Sequence, residues 1–389
     1  MTLSELGEKA EAYVIDLLEG RCRGRLDRAL RVLLFVLSRG YRGAVQLRLA
    51  LFNEGLLRRH TPGCLVVSIG NLTVGGTGKT PVVEVFARTL AAKGRKVAVL
   101  SRGYRSKRRP LPERLRDMFR HPDREIPPRC VSDGKRLLMD SAMGGDEPYM
   151  LASNLPDVCV LVDKDRVKAS RYAIRQLGCD TLLLDDGYQY LALRPRLNIL
   201  LVDATNPFHN HHLLPRGFLR EPIKNVRRAD FVFLTKCNGS PSVRHLRTFI
   251  RKHNPRAEII ECTHRPRHLV DVYTGERHDL ETLRGKRLAA ICAIACPESF
   301  EAFLRQLGGE LVHCERYVDH HRYDQREVIN FINASLSRQA DLVLTTEKDA
   351  VRFPKLDRRD LPVYYLRVEI DILSGRETFD DCITRICFL

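Results

Sequence analysis

The sequence predicts an α/β fold: a mainly parallel sheet flanked by helices, with a second, smaller α/β domain and an N-terminal amphipathic helical segment. Three observations predict it. Short apolar runs at 65–69, 96–100, 158–162, 181–184, 198–202 and 231–234 alternate with helix-like segments, as buried parallel strands do. The first run leads straight into a glycine-rich loop and a helix. Past about Cys262 the units become shorter, with strands expected at 288–294 and 341–345 and a helix at 297–307.

The first strand, Leu65-Val66-Val67-Ser68-Ile69, is followed by Gly70-Asn71-Leu72-Thr73-Val74-Gly75-Gly76-Thr77-Gly78-Lys79-Thr80-Pro81. Pro81 suits a first helical turn, Val82, Phe86 and Leu90 repeat at helical spacing, and Gly94 closes the segment. Strand, glycine loop and helix in this order are the setting for phosphate binding, because glycine lets backbone N–H groups converge on phosphates and the helix dipole favours their charge. The fold class is therefore phosphate-loop NTPase-like. Thr73 stands where the general pattern G-x-x-x-x-G-K-[ST] has its first glycine. Thr73, Gly75, Gly76, Thr77, Gly78, Lys79 and Thr80 form the candidate nucleotide-binding set, with Lys79 on the β and γ phosphates and Thr80 on magnesium. The competing reading is a glycine turn with an incidental lysine.

With 389 residues the chain has room for two ordinary domains. Its net charge of +17 draws it to an anionic partner and leaves nucleic acid, an acidic membrane surface and a phosphorylated substrate open. The twelve cysteines include no C-x-x-C pair, which points to small buried residues in a reducing compartment rather than to a metal or disulfide framework. Residues 1–11 are polar and partly acidic, so no signal peptide is expected, and the apolar run at 32–37 is too short to span a bilayer.

Between Arg21 and Arg59 the sequence reads as two helices carrying ten arginines against Asp27 and Glu54. Leu26, Leu30, Leu33 and Leu37 form one stripe and Val45, Leu49, Phe52 and Leu56 another. Two readings stand: helices lying in a membrane interface, or an amphipathic pair packed on the core. The expected division is 1–60 for these helices, 61–262 for the phosphate-loop domain and 263–389 for the smaller domain.

Downstream, 105–129 is rich in arginine and proline and reads as a surface loop. Asp146 is placed at the N-cap of a helix running to about Ser153. The strand ending in Asp185 and Asp186 has the form that presents carboxylates to a nucleotide's magnesium, the alternative being the start of a turn at Gly187. Thr235-Lys236-Cys237-Asn238 has Asn238 where a guanine-reading motif needs aspartate, so guanine specificity is not expected.

Together with the glycine loop, Ser101-Arg102-Gly103-Tyr104, Gly145-Asp146-Glu147-Pro148, Leu184-Asp185-Asp186-Gly187-Tyr188-Gln189, Leu214-Pro215-Arg216-Gly217-Phe218-Leu219-Arg220-Glu221-Pro222, Asp319-His320 and Thr346-Glu347-Lys348-Asp349 occur in an order that resembles the tetraacyldisaccharide 4'-kinase family of lipid A biosynthesis. The resemblance runs from about Leu26 to Asp349 and takes in Thr73 as the family's own form. It implies a peripheral kinase at the cytoplasmic face of the inner membrane. Such a kinase uses ATP and Mg2+ to phosphorylate the 4'-hydroxyl of a lipid A disaccharide 1-phosphate. It further implies Lys79 and Thr80 at phosphate and magnesium, Asp185 and Asp186 at the metal, Asp146 as base helped by His320, and Arg166, Arg220 and Glu221 in the active site.

Two other classes compete. A membrane-associated regulatory ATPase of the K-G-G-x-G-K-[ST] type would carry a lysine at position 74, where this chain has Val74. A nucleic-acid-binding protein has only the charge in its favour, since no reading module is present and aromatic residues are not interleaved with the basic runs.

Overall fold

The computed structural model describes residues 13–103, 126–319, 321–356 and 360–388. In chain order, helix 13–19 (α1) precedes α2 (Arg25–Asn53). Strand β1 (Leu65–Asn71) and helix α3 (Lys79–Ala92) frame the glycine loop, and β2 (Val97–Ser101) follows. Then come β3 (Arg129–Asp133), α4 (Ser141–Gly144), α5 (Asp146–Asn154), β4 (Cys159–Val162), α6 (Arg166–Arg175) and β5 (Thr181–Asp185). Strands β6 (Leu197–Asp203) and β7 (Phe231–Thr235), helix α7 (Pro241–His253), β8 (Glu258–Asp271) and β9 (Arg277–His278) are next. The remainder is β10 (Arg287–Cys292), α8 (Pro297–Gln306), β11 (Glu310–Arg316), α9 (Gln325–Ser337), β12 (Leu342–Thr346), α10 (Glu347–Ala350), β13 (Val363–Ser374) and α11 (Arg376–Phe388).

These elements form two compact units. The first holds the chain up to Arg102, Asp157–Thr263 and everything from Ile372 on; the second holds Gly103–Pro156 and His264–Asp371. This differs from the three consecutive segments expected from the sequence. The N-terminal helices belong to the first unit, 103–156 leave it, and α11 returns to it. Of the four divisions, two fall inside β8 and β13, so no linker marks those; the other two follow β2 and precede β4.

In the first unit the strands are ordered β8-β7-β6-β1-β5-β2-β4, neighbours pairing in parallel, with β1 between β5 and β6. All seven residues of β1 except Leu65 are buried, as a central parallel strand requires. Helix α3 buries Val82, Val83, Phe86, Ala87 and Leu90. Phe86 meets Phe233 of β7 and Phe379 of α11 edge-on at 5.4 and 5.2 Å, which is why the C-terminal helix is part of this unit's core. Each such fully buried large side chain stabilises the unit by about 1.5–3 kcal/mol.

The expected pair of N-terminal helices is one helix, α2, of 29 residues. Tyr41 lies four residues after Leu37 and four before Val45, so the two apolar stripes are one stripe in continuous helical phase. Gly40 and Gly43 sit in open space, where each costs only about 1 kcal/mol and no helix break follows. The helix is anchored through its second half by buried Leu49 and Phe52, by Tyr41 donating to the Arg220 carbonyl at 3.1 Å, and by Gln46 with Asn225 at 3.5 Å. Its first half leaves Leu26, Val32, Leu33, Phe35, Val36 and Leu37 exposed. Among the described residues no helix is long and apolar enough to cross a membrane.

In the second unit β10 pairs in parallel with β11 and β12, and β12 with β13. The ion pairs Arg265–Asp371 and Arg267–Glu369 step in opposite directions along β8 and β13, so these neighbours run antiparallel there. Helix α9 opens with a capping box between Asp324 and Glu327 and buries Val328, Phe331 and Ile332. Of the twelve cysteines, all free, six are buried and two exposed.

Candidate active site

The glycine loop is held from both sides within the first unit. Buried Asn71, at the end of β1, donates from Nδ2 to Thr77 Oγ1 at 3.0 Å and, at a longer 3.4 Å, to Thr73 Oγ1. That is the local use of Thr73: it supplies a hydroxyl where glycine has none. The segment 218–220 lies antiparallel along the loop, with Val74 N–H donating to the Phe218 carbonyl at 2.8 Å and Arg220 N–H to the Leu72 carbonyl at 2.7 Å. From the end of β7, Thr235 Oγ1 donates to the Thr77 carbonyl at 2.9 Å and Lys236 Nζ to the Gly76 carbonyl at 3.1 Å. Gly75 and Gly78 have φ of 111° and 73°, a region that side chains disfavour, and Gly78 turns the chain into α3 so that Lys79 and Thr80 occupy its first turn.

Strand β5 lies beside β1, with Ile69 opposite Asp185, and so brings the acid pair to the same end of the sheet as the loop. Asp185 Oδ2 accepts from Ser101 Oγ at 2.9 Å, and its carbonyl accepts from Arg166 at 3.0 Å. Asp186, at φ 52°, receives Arg220 NH1 on both carboxylate oxygens at 2.8 and 2.7 Å and lies 3.4 Å from Lys79 Nζ. Burial acts to raise the Asp186 pKa, but the charges of Lys79 and Arg220 outweigh it and hold the group below the ordinary carboxylate value. Arg166 is itself buried, its guanidinium over the Tyr190 ring at 5.0 Å; burial lowers its pKa while Asp185 and Asp186 work against that.

The structure thus brings Thr73, Gly75, Gly76, Thr77, Gly78, Lys79, Thr80, Asp185, Asp186, Arg166 and Arg220 together in one unit. Glu221 is adjacent in sequence but turned away: buried, it accepts from Asn225 Nδ2 at 2.7 Å and Arg228 at 2.6 Å, and so braces the turn behind Arg220. Asn71, Ser101, Gln189, which donates to the Asn71 carbonyl at 2.9 Å, and Lys236 are parts of the site that sequence reasoning missed. Each stands inside a sequence motif, Asn71, Ser101 and Gln189 in those that carry the family resemblance and Lys236 in the guanine-like tetrapeptide, but no local pattern marks its role.

Asp146 belongs to the second unit and is not an N-cap. Gly145 occupies the cap, at φ 93°, and Asp146 is the first residue of α5. Its carboxylate is taken up elsewhere. Arg352 Nε donates to Oδ2 at 2.8 Å and Arg322 NH2 to Oδ1 at 3.0 Å. His320 lies outside the described residues, as does most of the 105–129 loop. Lys348 bridges Glu147 and Asp319 at 3.4 and 3.3 Å.

The family model described as tetraacyldisaccharide-1-P 4'-kinase matches residues 30–387. The chain belongs to the tetraacyldisaccharide 4'-kinase family. A tetraacyldisaccharide 4'-kinase of Anaeromyxobacter dehalogenans (strain 2CP-C) is 40% identical over 348 residues, covering 87% of this chain and 86% of that protein. The tetraacyldisaccharide 4'-kinase of Geobacter metallireducens is 38% identical, covering 90% of this chain and 97% of its own. The crystal structure of LpxK from Aquifex aeolicus in complex with ATP aligns with a TM-score of 0.69 at 26% identity, over 92% of this chain and all of that one. The 4'-kinase family match begins within α2 and runs to residue 387, so most of that helix, the glycine loop with its sheet and the whole of the second unit lie inside it.

Proposed function

We propose that this chain transfers the γ-phosphate of ATP to the 4'-hydroxyl of a tetraacyldisaccharide 1-phosphate, giving lipid IVA. The observation that carries this is the family match over 30–387, which encloses the assembled loop, Lys79, the acid pair and Arg220. In this reading Lys79 and Arg220 supply positive charge to the phosphates. Phosphoryl transfer asks mainly for positioning and neutralisation of charge, and these residues suit that demand. Asp146 takes the proton of the sugar hydroxyl, helped by His320, which matches a separate family motif. Arg166 acts through the Asp185 backbone, and Glu221 acts through the turn that carries Arg220.

The donor set also suits Mg2+. Thr80, Asp185 and Asp186 offer only hard oxygens, and this ion needs few protein ligands because it keeps water and phosphate oxygens. When bound, the ion would neutralise charge on the β and γ phosphates. Asp186→Ala is expected to abolish magnesium-dependent transfer in a folded protein; a magnesium titration of the rate that matches wild type would show that the carboxylates only shape the turn at Gly187.

The acceptor carries several acyl chains, and each methylene drawn out of a bilayer costs about 0.8 kcal/mol, so the enzyme must reach the lipid at the interface. We place the exposed first half of α2 on the cytoplasmic face of the inner membrane, with its arginines at anionic headgroups. Beside it, Phe35, Arg39 and Arg42 share a cavity of about 260 Å³ with His212, Leu213 and Lys224, a lining both apolar and basic. Replacing Leu33, Leu34 and Phe35 by serine is expected to leave folding intact, weaken vesicle binding and selectively reduce activity on vesicle-borne acceptor relative to acceptor in detergent. Equal binding and equal activity in both formats would refute the placement.

The deciding experiment for the function is incubation with γ-labelled ATP and an acylated disaccharide 1-phosphate. Label is expected in the lipid at the 4' position. Release of inorganic phosphate alone, whatever lipid is supplied, would favour the regulatory ATPase instead.

A further inference from the structure

Arg352 is the most deeply buried cation of the second unit's acidic cluster: its side chain has no exposure. A buried guanidinium needs its donors met and its charge balanced, and two carboxylates do this. Asp146 Oδ2 accepts from Nε at 2.8 Å and Asp349 Oδ1 from NH1 at 3.1 Å. Asp349, also fully buried, is fixed in turn by Thr346 Oγ1 at 2.6 Å and by the Ala293 backbone N–H at 3.1 Å. The chain of contacts runs from the backbone of β10's exit through Asp349 and Arg352 to one oxygen of Asp146. The other oxygen is met from a different direction by Arg322, which also reaches the Ser141 carbonyl at 3.3 Å and whose side chain is 43% exposed. Two cations on two oxygens leave the Asp146 carboxylate a single orientation.

We propose that Arg322 and Arg352 are positioning residues for phosphoryl transfer, clamping the two carboxylate oxygens of Asp146 so that its remaining lone pairs point in one fixed direction. The proposal rests on Asp146 receiving the hydroxyl proton. The clamp has a chemical consequence besides orientation: a neighbouring cation favours the charged carboxylate, so the group stays able to accept a proton at lower pH. The other charged groups of this unit near Asp146 are engaged elsewhere. Glu147 and Asp319 share Lys348, Glu347 pairs with Arg367, and the His321 ring pairs with Glu327. Asp140 caps α4 at the Met143 N–H, Arg129 donates to the Met143 carbonyl, and Asp133 accepts from the backbone of 135 and 136. Arg322 and Arg352 are therefore the cations set to act on it directly among the described residues.

The test compares pH profiles of kcat for Arg322→Met, Arg322→Lys, Arg352→Lys and Asp146→Asn, with KM for ATP and thermal stability measured alongside. Arg322 is partly exposed, so its removal leaves no buried charge unpaired apart from Asp146, which keeps Arg352. Arg322→Met is expected to lower kcat about 10- to 100-fold with KM for ATP unchanged, as a misplaced catalytic group does. It is also expected to move the acidic limb of the profile to higher pH, whereas Arg322→Lys, which keeps the charge, restores the limb and most of the rate. Arg352→Lys, which keeps charge but loses the second contact, is expected to lower kcat with the limb in place. A purely structural role would move stability and leave the limb where it is. If Asp146→Asn is inactive while the Arg322→Met limb coincides with wild type, the clamp is wrong and the proton role stands; if Asp146→Asn is fully active, both are wrong.

Discussion

Replacing Lys79 by alanine is expected to reduce γ-phosphate transfer about 1,000-fold or more, roughly 4 kcal/mol of barrier, while the protein stays folded. The size follows from where the charge sits. The Lys79 side chain is largely sequestered, in the first turn of α3 directly after the αL residue Gly78, so its ammonium acts in a setting where water screens it poorly. In the proposed reaction phosphoryl transfer spreads negative charge over oxygens that the glycine loop, the helix dipole and Lys79 would address together, the lysine being the mobile full charge among them. Stability should change little. Asp186 loses a partner 3.4 Å away but keeps Arg220 on both oxygens at 2.8 and 2.7 Å. The measurement is single-turnover transfer of labelled phosphate to the lipid, with thermal unfolding as control. A folded Lys79→Ala protein within tenfold of wild type would remove this loop from the chemistry.

The strand, loop and helix around Lys79 were legible in the sequence because each is specified locally: a β-branched apolar run, glycines where φ must be positive, and Pro81 in a first turn. The reason for Thr73 was not legible, since its hydroxyl answers Asn71, a residue whose role exists only once β1 ends and the loop folds back. The same limit explains α2. Two stripes suggested two helices, yet the polar-tipped Tyr41 continues the phase and is fixed by a contact 179 residues away. The domain division was hidden for a different reason: two of the four crossings between the units lie inside β8 and β13, where no loop interrupts the strand. Asp146 shows the limit most plainly. From spacing alone a carboxylate at the start of a helix is a cap, and its partners Arg322 and Arg352 lie 176 and 206 residues downstream, beyond any local pattern.

Asp146→Asn is expected to lower the rate of transfer about 100- to 10,000-fold with ATP binding retained, the range that general-base assistance contributes. Asparagine is the informative replacement. Alanine would leave buried Arg352 short of a partner, and breaking a buried pair in that way costs about 3–5 kcal/mol, enough to confuse lost chemistry with lost structure. Asparagine keeps the shape and one carbonyl oxygen to accept from a guanidinium, and Arg352 retains Asp349 at 3.1 Å, so a smaller loss of stability is expected. The comparison that decides is rate per bound nucleotide. If that rate falls by at least 100-fold while the melting temperature of the ATP-bound protein stays near that of wild type, the carboxylate's charge serves the reaction. If binding and stability fall together and the rate per bound nucleotide does not, Asp146 is there only to neutralise Arg352 and Arg322 and to start α5.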